Sequence, residues 1–142
     1  MDVSAADVAR IPAGNLRVPV ADFAALWRAA ERHQEERARR HVADWYAAGV
    51  VMTCRWLAAA TVRPAAGPWR PARSPVTERT APAYEELIEA ECLAAETLAA
   101  RRPVPGWLAE QPGWLDAVLA TLNWAWRRSG VPPMDLRHSA TG

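Results

Sequence analysis

The sequence predicts an all-α fold: a small bundle of three to four helices with a proline-rich linker and an irregular N-terminal arm. Three observations carry that reading. Residues 20–62 contain no proline and a single glycine, Gly49. Apolar residues recur at helical spacing in that stretch, and again over 83–100 and 114–129, while no segment shows the strict apolar–polar alternation of a half-buried strand. The i,i+4 pairs Glu35–Arg39 and Glu36–Arg40 place the acid N-terminal to the base, the order that supports a solvated helix.

Residues 1–19, with Pro12, Gly14 and Pro19 and no period, read as an irregular arm. A single domain then spans 20–130. Its first helical stretch puts Phe23, Leu26, Trp27 and Ala30 on one face, and residues 31–41 are polar all round. The stripe resumes through Val42, Tyr46, Gly49, Val50, Thr53, Trp56, Leu57 and Ala60. The two stripes are offset by roughly 120° at 100° per residue. Either one rod faces two neighbours or the chain breaks near 31–41. Five prolines make 63–82 a loop or polyproline-like linker, because proline removes backbone donors and disfavours a helical residue before it. A second helix over 83–100 has Glu85 and Glu86 in its first turn, where acids suit the helix dipole. Its apolar face is Tyr84, Leu87, Ile88, Cys92, Ala95, Leu98 and Ala99, and its glutamates read as a solvated flank or as partners of the basic stretch Arg37–Arg40. Pro105-Gly106-Trp107-Leu108 recurs as Pro112-Gly113-Trp114-Leu115. The first copy ends within a turn, and the second starts a helix that runs to about Ser129. Residues 131–142 form a tail that orders only if docked.

Composition narrows the function. Alanine accounts for 31 of 142 residues and tryptophan for 8, and all 17 basic residues are arginine, a usage that fits a GC-rich bacterial genome. The +1 net charge argues against a bulk electrostatic nucleic-acid binder. The charge is nonetheless segregated, with +3 over 63–80 and −5 over 81–100. Cys54 and Cys92 lie in apolar stretches and read as buried reduced thiols. No secretory signal pattern opens the chain, so a cytoplasmic location is expected. The apolar run Trp45–Val62 carries Arg55 near its centre and reads as a core helix, not a membrane span.

Two tryptophans stand outside the expected core. Trp124 falls about 180° from the stripe Leu115, Val118, Leu119, Leu122 and Trp126, among Asp116, Arg127 and Arg128. Trp69 lies in the linker PWRPARSP beside Arg70, and proline-rich segments of this kind dock aromatic grooves. Tryptophan and arginine are enriched in interface hot spots. Trp69, Arg70, Trp124, Arg127 and Arg128 are therefore the candidate partner-binding residues, and the expected function is a small protein–protein interaction or adaptor module. Its partner would be another protein or, through close approach of alanine-rich helices, a second copy.

Two alternatives remain. Arg28-x4-His33 is similar in spacing to the Arg-x4–6-His motif of helical ribonucleases of the HEPN type. That resemblance implies His33 as acid or base and Arg28 as phosphate holder, although Ala29 stands where that motif has a polar residue. His41 could assist. Arg37, Arg39, Arg40, Arg70 and Arg73 could instead bind nucleic acid. The sequence lacks Gly-x-Ser-x-Gly, a glycine-rich phosphate loop, His-Glu-x-x-His and Cys-x-x-Cys. No catalytic residue, metal or cofactor is assigned. Bundle di-iron sites use Glu-x-x-His from two helices, and no such pair occurs.

Overall fold

The computed structural model describes residues 1–135. Its helices are α1 (Ala5–Ala9), α2 (Val20–Arg39), α3 (Trp45–Leu57), α4 (Glu85–Ala100), α5 (Gly106–Ala109) and α6 (Trp114–Ala125). A 3-10 turn spans Ala13–Asn15, and the two-residue strands β1 (Thr61–Val62) and β2 (Arg70–Pro71) pair antiparallel. The fold is all-α, with four main helices, α2, α3, α4 and α6.

The stretch 20–62 is two helices, and the chain breaks at its polar part's end. α2 stops where His41 takes φ 56°, and the Val42 N–H returns to the Arg37 carbonyl at 2.9 Å. Asp44 restarts the chain by capping α3, its Oδ1 accepting from the Ala47 N–H at 2.9 Å. The break resolves the 120° offset of the two stripes, since each helix now turns its own face inward. Of the expected ion pairs, Glu36–Arg40 forms at 3.1 Å, whereas Glu35 turns to the Met1 amino group at 2.7 Å.

α6 is the central element. It packs most extensively on α3 and next on α4. The α3 contact is close because Gly49 has no side chain: a Cβ there would sit 2.5 Å from the Trp114 carbonyl oxygen. Phe23, Leu26, Trp27, Trp56, Ile88 and Leu122 are fully buried around this contact. Burying each such side chain contributes about 1.5–3 kcal/mol. Both cysteines are free and buried.

The arm is more ordered than its sequence suggests. Ser4 and Asp7 form a capping box that starts α1. Ile11 and Leu16 enter the core, and the Arg17 N–H bonds the Ala125 carbonyl at 2.8 Å. Buried Asn15 donates to the carbonyls of Leu57 (2.9 Å) and Ala83 (3.1 Å), joining the ends of three segments. The linker 63–82 is likewise structured. Thr61 faces Pro71 and Val62 faces Arg70 across the hairpin, and its return, residues 74–79, is held by Glu91. Glu91 is a correction to the solvated-flank reading of the acidic helix, because it is buried and accepts from Val76 and Thr77. The repeated Pro-Gly-Trp-Leu units diverge: α5 is one turn with Trp107 exposed, and α6 is three turns with Trp114 buried. The start of the tail docks where the Tyr46 hydroxyl donates to the Pro133 carbonyl at 2.8 Å. Among the described residues no helix is long and apolar enough to cross a membrane.

Candidate interaction surface

Trp69 is 63% exposed at the mouth of a cavity of about 660 Å³ between the hairpin and the arm. Arg10, Arg55 and Arg63 line it together with Asp2 and Asp7. Arg70 is the next residue, and successive strand side chains point to opposite faces. It lines a separate, shallower groove of about 180 Å³ with Met52, Arg55, Val62 and Arg73. The hairpin segment thus presents Trp69 and Arg63 to one hollow and Arg70 and Arg73 to the other.

Both hollows contain arginine without an acidic partner among the described residues, Arg63 in the larger one and Arg70 with Arg73 in the groove, but the larger one also holds two paired arginines. In the larger one, Arg10 bonds Asp7 at 2.6 Å, and Arg55 grips Glu31 through two hydrogen bonds of 2.8 Å. In the groove, Arg70 and Arg73 have no acidic partner among the described residues. The groove therefore keeps uncompensated positive charge over an apolar floor of Met52 and Val62.

The other three predicted contacts lie elsewhere. Trp124 is 8% exposed and belongs to the core, which corrects the expectation that it stands on an open face. The reason is that α6 lies between α3 and α4, so a helix read as one-sided is covered around most of its girth. Arg127 pairs with Glu89 and Glu96 of α4. The Trp126 indole also donates to Glu89 at 2.8 Å, and these two donors hold the Glu89 carboxyl below its usual range. Arg17 sits 4.3 Å above the Trp126 ring, so Trp126 and Arg127 lock the arm, α4 and α6 together. Arg128 is exposed at φ 52°, just past α6.

Val42 and Tyr84, which the sequence reading gave to apolar faces, are exposed, and so are Trp45 and Met52 of the apolar run and Trp107 of the short repeat. Residues 45 and 52 are seven apart and share one line of α3. The opposite side of α3, including Val50 and Cys54, is buried. The Trp114 indole donates to the Met52 sulfur at 3.4 Å, and the Trp107 ring meets Trp114 edge-on at 6.1 Å. Met52 consequently joins an exposed aromatic line to the arginine groove. The signal was present in the sequence, since 45 and 52 lie outside the stripe 42, 46, 49, 50, 53, 56, 57.

The nuclease-like pair does not converge. The Arg28 Nε donates to the Val3 carbonyl at 3.2 Å. His33 Nε2 instead lies 3.0 Å from Asp44 Oδ2, and Arg37 approaches the same carboxylate at 3.6 Å. Burial pushes the Asp44 carboxyl up, but the Ala47 N–H, His33 and Arg37 outweigh it and leave the group below its usual range. This arrangement ties α2 to the start of α3. Exposed His41 takes the helix-ending conformation, and His138 lies outside the described residues. Among the described residues, no three His, Cys, Asp or Glu side chains cluster as metal ligands would. No protein-family model, curated protein or solved structure matches this chain.

Proposed function

We propose that this chain is a protein–protein interaction module whose docking face is the outer line of α3 together with the arginine groove of the hairpin. The observation that carries it is Met52, which belongs both to the exposed line with Trp45 and Trp107 and to the groove of unpaired Arg70 and Arg73. An apolar, aromatic centre beside arginine is the composition of an interface core and its rim. Large apolar side chains gathered on one face also need a cover that scattered ones do not. The partner segment that fits is amphipathic, with apolar side chains for Trp45 and Met52 and carboxylates for Arg70 and Arg73. Trp69, on the hairpin's other side, adds a flanking contact.

A nucleic-acid surface is less well supported. Arg37 and Arg40 of the arginine set pair with Asp44 and Glu36, so only Arg39, Arg70 and Arg73 of that set are without an acidic partner among the described residues, and Arg39 stands on α2 apart from the hairpin pair. One experiment separates the readings. Met52→Glu and the double variant Arg70→Ala/Arg73→Ala change exposed positions, so their thermal midpoints should stay within a few degrees of the parent. Both should lose the proteins that the parent captures from its host lysate. Single-stranded RNA binding that falls steeply with salt, and that the arginine variant abolishes, would replace the protein partner with nucleic acid.

A further inference from the structure

The larger hollow carries chemistry that the docking face does not use. Three segments build its walls: the arm contributes Asp2, Asp7 and Arg10, α3 contributes Arg55, and the hairpin segment contributes Arg63 and Trp69. Its volume of about 660 Å³ is that of a small-molecule site. Most of the charge around it is already matched. Arg10 pairs with Asp7, while Arg55 and the Met1 amino group are held by Glu31 and Glu35. One lining charge of each sign is left. Asp2 and Arg63 have no ion-pair partner among the described residues, and they do not pair with each other although both line this hollow. The indole of Trp69, left largely in water at the mouth, is the apolar surface beside them.

We infer that this hollow binds a small zwitterion, an ammonium and a carboxylate carried on an aromatic body, the chemistry of a free aromatic amino acid or a short peptide. Asp2 takes the ammonium, Arg63 takes the carboxylate through its planar fork, and Trp69 covers the ring. Charge selects this class over simpler ions. An anion would satisfy Arg63 but bring a like charge towards Asp2, and a cation would satisfy Asp2 but bring one towards Arg63. Arg10 and Arg55 do not change that balance, because Asp7 and Glu31 already neutralise them. The site lies on the opposite side of the hairpin segment from the arginine groove, and it stands whether or not the α3 face docks a protein. Both charged contacts are solvent-exposed, so the affinity is weak, with Kd of the order of 1 mM.

The test is to titrate L-phenylalanine and glycyl-L-phenylalanine into the full chain, free of any N-terminal tag, and to follow the Trp69 indole N–H resonance, assigned with Trp69→Phe. At least one of the two zwitterions should shift that resonance saturably below about 10 mM, and the tighter one tells an amino-acid site from a peptide site. Its amide, which lacks the carboxylate, and its N-acetyl form, which lacks the ammonium, should each bind about tenfold more weakly. Arg63→Gln should abolish the preference for the zwitterion over the amide and keep the preference over the N-acetyl form. Asp2→Asn should do the reverse. Both positions are exposed, and circular dichroism checks that the variants fold. The parent's own discrimination among the three ligand forms tests the inference without either variant. No saturable shift with either zwitterion, an amide or N-acetyl form that binds as tightly as the zwitterion, or preferences that survive in the folded variants would each overturn it.

Discussion

Glu31 on α2 and Glu91 on α4 are buried to the same degree, and each holds a segment distant in sequence, but their partners differ in kind. Glu31 is gripped by charged and aromatic donors: two bonds from Arg55, one from the Trp27 indole at 3.0 Å and one from the Met1 amino group at 3.2 Å. Glu91 receives only neutral donors, the backbone N–H groups of Val76 and Thr77 and the Thr77 hydroxyl at 2.7 Å. The first carboxylate cross-links two core helices, whereas the second fastens a loop to the surface of one. The lesson is that equal burial does not mean equal cost of removal. What counts is whether the abandoned partners can reach water.

Glu31→Ala should be the most damaging change. It leaves the Arg55 guanidinium and the Trp27 indole without their acceptor inside the α2–α3 contact. Breaking a buried pair from one side costs about 3–5 kcal/mol, and the partial exposure of Arg55 places this one near about 3 kcal/mol. Denaturant unfolding measures that loss, and a double-mutant cycle with Arg55→Ala should return a coupling of about 1 kcal/mol or more. Near-zero coupling would mean that the pair is incidental.

Glu91→Ala should cost less globally, about 1–2 kcal/mol, because the freed donors belong to a loop that can lift into water. Its signature is local: faster amide exchange at Val76 and Thr77 and new proteolytic cleavage within 74–80, with α2, α3 and α6 protected as before. A fall in stability equal to that of Glu31→Ala would abolish the contrast between the two carboxylates.

Asp44 extends the comparison to a partly exposed carboxylate and has the smallest expected effect. Its folded pKa lies below its usual value, so the stability it contributes is present above the unfolded pKa of about 3.9 and is lost as pH falls through the folded value. Between pH 7 and pH 5 this group should leave stability unchanged. Below about pH 4 the parent should lose stability more steeply than Asp44→Asn, as read by thermal midpoints across the acid range.

Much of the fold was legible in local pattern. The helix positions, the breaks at prolines and the burial of Phe23, Trp27 and Trp56 follow from periodicity, since a helix exposes its intended face through residue spacing alone. The candidate surface was half legible. Trp69 and Arg70 stand out because the linker offers no core for them to enter. Trp124 misled because the pattern assumes one buried face, and α6 is covered by two neighbours. Glu31 and Glu91 misled in the opposite sense: a carboxylate reads as solvated until donors from remote segments surround it. Arg55 supplies them 24 positions from Glu31, and Val76 and Thr77 lie 15 and 14 from Glu91.

The sequence by itself determined the all-α class, the division at the proline-rich linker and the opposite charges of residues 63–80 and 81–100. Those depend on backbone preference and composition, which act over a few residues. Only the tertiary structure decided which side of α6 is covered, that Met52 links Trp45 to Arg70 and Arg73, and which glutamates are spent inside the molecule. Those outcomes depend on which helices become neighbours, and that is settled by packing among segments tens of residues apart.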